Sequence, residues 1–226
     1  MLRHTKDLQG FKLDCNDGEL GKIKDFYFDD LLWIVRYLVA DTGRWLPRRK
    51  VLVSPLSLGK IDEDKKKIQV NLTKEIVEKS PSIFPDQPFL RKEETALSGY
   101  YKWPSYWENI TLETEDTIHL RSAKEVTGYA VEALDGEVGV IANFIIDDAD
   151  WTIRYLVVDI KKILPGRKVL LALDWIERFY EEEQKLVVNV TKDLIESAPH
   201  YNPETPINRG VETELFDYYK KEYYWR

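Results

Sequence analysis

WIVRYLVAD, residues 33–41, returns as WTIRYLVVD at residues 151–159. The offset of 118 positions holds without a gap along two long segments, residues 2–107 and 120–225. Almost the whole chain therefore consists of two copies of one sequence unit. Since a single domain commonly has about 100 to 150 residues, the duplication predicts two domains in the 226-residue chain.

The repeated stretch is typical of a buried strand. Apolar side chains fall on both faces of its alternating pattern, and one arginine, Arg36 or Arg154, lies at its centre. A strand that is apolar on both faces usually belongs to a closed or doubly covered sheet. About six short strands with turn signals between them, followed by a small helix, predict a mainly β fold in which each unit is a small β-barrel.

The repeat also predicts where the two units begin and end. Each would comprise a barrel, a short C-terminal helix and an aromatic tail. The predicted first unit is 1–113, with its barrel at about 1–80 and its tail at 81–113; the second is 114–226, with its barrel at about 119–198 and its tail at 199–226.

Composition and charge narrow the function classes. The net charge of −7 and the pI near 5.2 argue against nucleic acid as a partner, because nucleic-acid binders normally carry a basic surface. No apolar run approaches the ~20 residues of a membrane span, and no secretory signal precedes the first repeat. We therefore expect a cytoplasmic protein without direct membrane insertion. The only cysteine, Cys15, excludes an intrachain disulfide, and we expect it to be buried.

Turn signals recur in both copies. Asp17-Gly18 and Asp135-Gly136 stand between alternating apolar and polar residues, which is a strong signal for a tight hairpin. A second glycine follows, Gly21 or Gly139, and predicts a bulge or a close approach of another backbone segment.

The order of these signals resembles the PRC-barrel family over roughly the first 80 residues of each unit. In the first copy the resemblance rests on Gly10, Asp17, Gly18, Gly21, Asp30, Arg36, Tyr37, Leu38, Val39, Asp41, Lys50 and Val51, each with a counterpart 118 positions later. The tails are similar to an extension found in bacterial proteins with two PRC barrels in tandem. The resemblance implies two tandem barrels and says little about function.

The family includes the cytoplasmic part of the photosynthetic reaction-centre H subunit and the C-terminal barrel of a ribosome-maturation factor. The H subunit has a membrane-spanning helix ahead of its barrel, and the maturation factor has a separate N-terminal domain. The repeat lacks both elements, so neither role is transferred to this chain.

Catalytic patterns are missing from the sequence. None of the three histidines, His4, His119 and His200, recurs in the other copy, and we expect them on the surface. The glycine-rich phosphate loop, the dinucleotide fingerprint and the hydrolase elbow are also absent. We therefore predict no enzymatic activity, no catalytic residues and no cofactor.

Acidic side chains follow the second strand of each copy. Asp147, Asp148 and Asp150 could supply oxygen ligands to a hard cation such as Mg²⁺ or Ca²⁺. The alternative is structural: one aspartate of the group pairs with the arginine of the central strand, as Asp30 would with Arg36. We favour the structural alternative and predict no metal site.

The aromatic tails are the strongest candidates for a binding surface. Aromatic residues concentrate at interface hot spots, and the residues concerned are Trp103, Tyr106, Trp107, Tyr223, Tyr224 and Trp225. The alternative is that each tail folds back over a barrel and becomes part of a core. Both alternatives remain open from the sequence.

Together these features predict a non-catalytic protein-interaction or scaffold module with an unidentified protein partner, and a homodimer is compatible with them. The alternative function is a small-molecule or metal-ion sensor with its site in the groove between the two barrels.

Overall fold

A computed structural model describes residues 1–47, 49–84, 89–109, 119–160 and 166–225. The fold is mainly β, with two seven-stranded sheets and a few helices, as predicted. The first repeat contains β1 (Leu2–His4), α1 (Thr5–Leu8), β2 (Lys12–Cys15), β3 (Gly18–Asp29), β4 (Ile34–Asp41), β5 (Val51–Val53), β6 (Leu58–Asp62), β7 (Lys67–Val70), α2 (Lys74–Glu78) and α3 (Arg91–Tyr101). The second repeat contains β8 (Leu120–Ser122), α4 (Ala123–Val126), β9 (Ala130–Ala133), β10 (Gly136–Asp147), β11 (Ile153–Asp159), β12 (Lys168–Ala172), β13 (Ile176–Tyr180), β14 (Lys185–Val188), α5 (Lys192–Glu196) and α6 (Arg209–Tyr219).

The chain forms two compact units that have the same strand order. In the first unit the order is β5-β4-β3-β2-β7-β6, and in the second it is β12-β11-β10-β9-β14-β13. Most neighbouring strands are antiparallel, whereas β2 with β7 and β9 with β14 are parallel. The first unit comprises Leu8–Leu31 and Val35–Ser122; the second comprises Met1–Asp7, Leu32–Ile34 and Ala123–Arg226.

The seventh strand of each sheet comes from the other repeat. Strand β1 pairs with β10 in the second unit, with Leu2 opposite Asp147. Strand β8 pairs with β3 in the first unit, with Leu120 opposite Asp29. The repeats thus exchange their first strands reciprocally. The compact units therefore differ from the sequence repeats at their ends, and the predicted boundary after residue 113 lies outside the described residues.

Each Asp-Gly pair closes a tight hairpin, as the sequence predicts. The Asp17 side chain accepts a hydrogen bond from the backbone N–H of Lys74 (2.7 Å), and Asp135 accepts one from Lys192 (2.6 Å). These bonds join the hairpin to the first residue of α2 or α5, where N–H groups have no partner within the helix. The turn aspartate therefore also fixes the short helix.

The second glycine of each hairpin lies against a neighbouring backbone. A Cβ atom at Gly21 would be 2.2 Å from the carbonyl oxygen of Asp41, and one at Gly139 would be 2.1 Å from that of Asp159. The pairing register of β3 and of β10 shifts at the same place. Both features predicted from the sequence, a bulge and a close approach, are present.

The cores consist of the inward faces of these strands. Phe26 and Phe28 of β3 are fully buried, as is Phe144 of β10, and the central strands contribute buried tyrosines at Tyr37 and Tyr155. None of the helices in the described part of the chain is long and apolar enough to cross a membrane.

Candidate interaction surface

In the first unit the tail folds back onto its own sheet around a buried glutamate. Glu94 of α3 is 0% exposed, and one of its carboxylate oxygens accepts hydrogen bonds from the hydroxyls of Tyr37 (3.1 Å) and Tyr106 (2.8 Å). The other oxygen accepts a hydrogen bond from Arg91, one helical turn earlier. Burial raises the pKa of Glu94, whereas the Tyr106 hydroxyl and the charge of Arg91 act in the opposite direction. A buried carboxylate is tolerated only with such partners, so Tyr106 and the tail around it are held in place.

The second unit repeats this arrangement. Glu212 of α6 is buried, and it accepts hydrogen bonds from the hydroxyls of Tyr155 and Tyr224, both at 2.7 Å. Arg209 supplies the ion pair at 3.1 Å. Burial, followed by the contact with Glu212, raises the pKa of Tyr224 to about 12, so the hydroxyl stays protonated and can donate. We call these two groups the carboxylate clusters.

Guanidinium groups cover the rings of both tails. A cation over an aromatic face is attracted by the ring quadrupole, and the contact adds about 0.5 to 2 kcal/mol in proteins. The pairs and their distances to the ring centroid are Arg36 with Tyr106 (3.8 Å), Arg91 with Trp107 (4.7 Å), Arg154 with Tyr224 (4.7 Å) and Arg209 with Trp225 (4.2 Å).

All six aromatic residues predicted to bind a partner are partly buried within their own unit: Trp103, Tyr106, Trp107, Tyr223, Tyr224 and Trp225. Trp103 packs against the core of the first unit, where its indole N–H donates to Ser57 (2.9 Å) and its ring stacks on Tyr101 at 4.3 Å. The alternative in which the tails fold back is therefore present in the structure. Partner binding through the remaining exposed ring area stays a prediction.

Cationic groups surround the three aspartates considered for a metal. Asp147 and Asp148 bind the amino group of Met1 at 3.0 and 2.5 Å, and Asp148 also pairs with Arg3 at 2.5 Å. Asp150 pairs with Arg154 at 2.5 Å. Within the described ranges, no group of three histidine, cysteine, aspartate or glutamate side chains is arranged to hold a metal ion.

The arginine of the central strand does pair with an aspartate, although not the one predicted. Arg36 donates to Asp29 (2.6 Å), a carboxylate that is 1% exposed, whereas the sequence favoured Asp30. Asp30 instead pairs with Arg121 of β8 (2.7 Å) and contacts His119 (2.9 Å). The prediction named the wrong neighbour because Asp30 has its partner on the exchanged strand.

The histidines differ in their environments. His200 is exposed and His119 is partly exposed, but His4 of β1 is buried, so the prediction of a surface position is wrong for His4. Its Nε2 lies 2.6 Å from the hydroxyl of Tyr201, and its Nδ1 lies 2.8 Å from the side-chain nitrogen of Asn143. Burial lowers the pKa of His4, which favours the neutral imidazole.

A polar cleft of about 470 Å³ lies on the first unit, beside strands β2, β6 and β7. Two of its lysines are paired, Lys67 with Asp14 (3.0 Å) and Lys65 with Asp62 (3.3 Å). Cys15 also borders the cleft; it is buried as predicted, and burial raises the pKa of its thiol to about 11. The full lining is Asp14, Cys15, Asn16, Lys60, Asp62, Lys65, Lys67 and Gln69.

Sequence reasoning missed the two glutamates at the centre of the carboxylate clusters. A glutamate on a polar helix is normally exposed, so Glu94 and Glu212 were not distinguished from their neighbours. A signal was available, because each glutamate follows an arginine by three positions, Arg91 or Arg209, in both copies. The same spacing permits an ion pair on one helix face.

No curated protein matches the chain. Residues 6–77 match the PRC-barrel domain. This region ends just before the end of α2 and covers β2 to β7 of the first unit. The chain thus contains a PRC-barrel domain at residues 6–77 followed by a second β-rich unit of the same strand order, which is consistent with a tandem PRC-barrel protein.

Proposed function

We propose that this chain is a non-catalytic protein-interaction module that binds its partner through the aromatic tails. The observation behind the proposal is that each tail presents partly exposed rings on a fixed support: a buried glutamate holds one tyrosine of each tail, and arginines cover the rings. Large aromatic side chains whose conformation is already fixed lose little entropy on binding, and Trp, Tyr and Arg are the residues enriched at hot spots.

The absence of enzymatic activity is part of this proposal. The PRC-barrel match indicates a small non-enzymatic domain. Cys15, with its pKa raised to about 11, remains a thiol at neutral pH and is a poor nucleophile. The negative net charge argues against a nucleic-acid partner.

Affinity purification with matched baits tests the proposal. One bait carries Trp107→Ala and Trp225→Ala, which remove the outer ring of each tail and leave both carboxylate clusters in place. The control bait carries Leu56→Ala and Leu134→Ala, which remove exposed apolar side chains elsewhere (65% and 57% exposed). We expect the wild type and the control to recover a common partner that the tail variant loses.

Recovery of the same partners by all three baits would contradict binding through the tails. Thermal unfolding of the three proteins shows whether a lost partner reflects a lost fold. We expect the tail variant to remain folded, because neither tryptophan belongs to the fully buried core.

A small-molecule sensor is a second candidate, and the cleft on the first unit favours it. Its volume of about 470 Å³ lies within the usual range of ligand sites, roughly 300 to 1,000 Å³. Amide chemical shifts recorded during titration with small carboxylates and phosphates test this function. Shifts confined to Lys60, Lys65 and Lys67 would support a sensor function, and unchanged spectra at millimolar ligand concentrations would contradict it.

A further inference from the structure

The exchanged strand β1 is anchored by a buried histidine whose hydrogen bonds require the neutral ring. Asn143 of β10 accepts hydrogen bonds at its side-chain oxygen from the hydroxyl of Thr5 (2.8 Å) and from the backbone N–H of Phe144 (2.9 Å). The oxygen of the amide is therefore turned away from His4, and its NH₂ group donates to Nδ1 of the imidazole (2.8 Å). The proton of neutral His4 then lies on Nε2 and can be donated to the Tyr201 hydroxyl.

Protonation of His4 would place an N–H on Nδ1 directly opposite the NH₂ group of Asn143. Two donors facing each other cannot form a hydrogen bond. A rotation of the Asn143 amide would bring its oxygen to His4, but it would then set the NH₂ group against the N–H of Phe144. Either orientation therefore breaks a hydrogen bond that the neutral ring allows, because the rotated amide would no longer accept from the N–H of Phe144 or the hydroxyl of Thr5.

The charges around His4 do not offset this conflict. Asp7 on α1 favours the charged imidazole, whereas Lys168 on β12 and Lys6 on α1 oppose it. Tyr201, the remaining polar contact, is buried and neutral, since burial raises the pKa of its hydroxyl to about 12. A charged His4 would thus be buried near one negatively charged side chain, Asp7, and two positively charged ones, Lys6 and Lys168.

We propose that His4 is an acid-sensitive latch that holds β1 in the sheet of the second unit and releases it when the imidazole is protonated. Only β1 has to leave the sheet, because the register ends at His4 opposite Ile145. Release would expose the backbone groups of β10 along residues 145–147, an open sheet edge that can accept another strand.

The counterpart strand β8 lacks this latch. Ser122 replaces the histidine, and its hydroxyl donates to Asp25 at 2.5 Å. His119 lies beside β8, and its Nδ1 is 2.9 Å from a carboxylate oxygen of Asp30. Mild acid should therefore loosen β1 without loosening β8.

The sign of the pH dependence follows from the lowered pKa of His4. The unfolded or released strand binds the proton at the ordinary imidazole pKa of about 6.5, and the docked strand binds it less readily. The stability of docking is complete above about pH 6.5 and falls as the pH drops below it. One proton changes the opening equilibrium by at most about tenfold per pH unit, and only the unit below the released pKa of about 6.5 counts, so we expect an effect of up to about tenfold between pH 7.5 and 5.5.

Amide hydrogen exchange of the full chain, read by NMR as protection factors, tests the latch. In the wild type we expect the protection of β1 to fall by up to about tenfold between pH 7.5 and 5.5, while that of β8 stays constant. The variant His4→Gln should show no such pH dependence, whatever its absolute protection, and the exposed-residue control His200→Gln should keep it. Titration of the imidazole carbons gives the pKa of His4 in the wild type without any substitution.

Three results would overturn the proposal: constant protection of β1 over this pH range, an equal fall in β1 and β8, or a pH-dependent fall that persists in His4→Gln. An imidazole pKa at or above the ordinary value in the wild type would do so as well. A constant pH profile for His4→Gln together with a lowered wild-type pKa would support the latch.

Discussion

The two units have the same strand order and the same carboxylate cluster, yet the groups beneath their exchanged strands differ. In the second unit a neutral histidine, His4, meets an asparagine and a tyrosine. In the first unit Ser122 donates to the carboxylate of Asp25. The residues that build the fold are thus common to both copies, whereas the residues that could respond to pH are not. A duplicated chain lets one copy serve as an internal control for the other.

The largest effect is expected when the carboxylate clusters are broken. Glu94→Ala would remove the buried carboxylate that two tyrosine hydroxyls and Arg91 share, and the loss should be about 3 to 5 kcal/mol of unfolding free energy. Glu212→Ala should cost less, because Arg209 is 56% exposed and can be hydrated. Urea unfolding of both variants measures the difference in unfolding free energy. Equal losses would show that the exposure of the arginine does not determine the cost of removing the glutamate.

The next largest effect is expected at the close approaches. Gly21→Ala and Gly139→Ala would each force a Cβ atom to within about 2.2 Å of a carbonyl oxygen, and each should cost about 3 kcal/mol. The two substitutions should destabilise the two units by similar amounts. Gly99→Ala is the control, because nothing lies within 4 Å of its Cβ position and alanine favours a helix. Similar unfolding temperatures for Gly21→Ala and Gly99→Ala would contradict the packing.

A moderate effect should separate the arginines of the two central strands. Arg36→Met would remove the ion pair between Arg36 and the buried carboxylate of Asp29, at a cost of about 2 kcal/mol. Arg154→Met should cost under about 1 kcal/mol, because its partner Asp150 is 49% exposed. The free energies of unfolding of the two variants test this prediction. A smaller loss in Arg36→Met than in Arg154→Met would contradict the larger contribution of the buried ion pair.

The smallest expected effect is a gain in stability at the ends of the two long helices. Lys102 and Lys220 follow the long helices α3 and α6 with positive φ angles of 58° and 53°. Glycine adopts this conformation without strain, so Lys102→Gly and Lys220→Gly should each add about 0.5 to 1 kcal/mol. Thermal unfolding should show a small rise in both variants, and a fall in either would mean that the lysine side chain contributes a contact of its own.

Local features of the fold could be predicted from the sequence because each rests on neighbouring residues. The Asp17-Gly18 turn, the buried strand around Arg36 and a short helix after the last strand were predicted, and the structure contains all three. The helix follows Thr73. Thr73 accepts a hydrogen bond from the N–H of Ile76 (3.2 Å), as an N-cap should.

The strand exchange could not be predicted from the sequence. Leu2 and Leu120 are matched residues in a repeated pattern, so β1 satisfies the apolar pattern of either sheet equally well. Strand pairing between residues far apart in the chain leaves no local sequence pattern. Because β1 and β8 have the same apolar pattern, the sequence does not show which of the two sheets each strand joins. His4 was misplaced for the same reason, since its burial depends on Asn143 and Tyr201 of the other repeat.

The candidate tail surface was predicted in part. Its aromatic residues were identified from the sequence, and folding back onto a barrel was one of the two alternatives for them. The sequence left the choice open because the choice depends on Glu94 and Glu212, whose helices look polar. A charged residue becomes buried only when its partners converge in three dimensions. That convergence joins α3 to the central strand, and Glu94 is 57 residues from its partner Tyr37 in the sequence.

The reciprocal strand exchange also determines when each sheet can be completed during synthesis on the ribosome. The first unit lacks its seventh strand until residues 120–122 have emerged, and β1 waits for β10, whose Asp147 pairs with Leu2. Contacts that span so much sequence slow folding. Strand β1 is thus made long before the sheet that it joins, and it is among the last strands to reach its place.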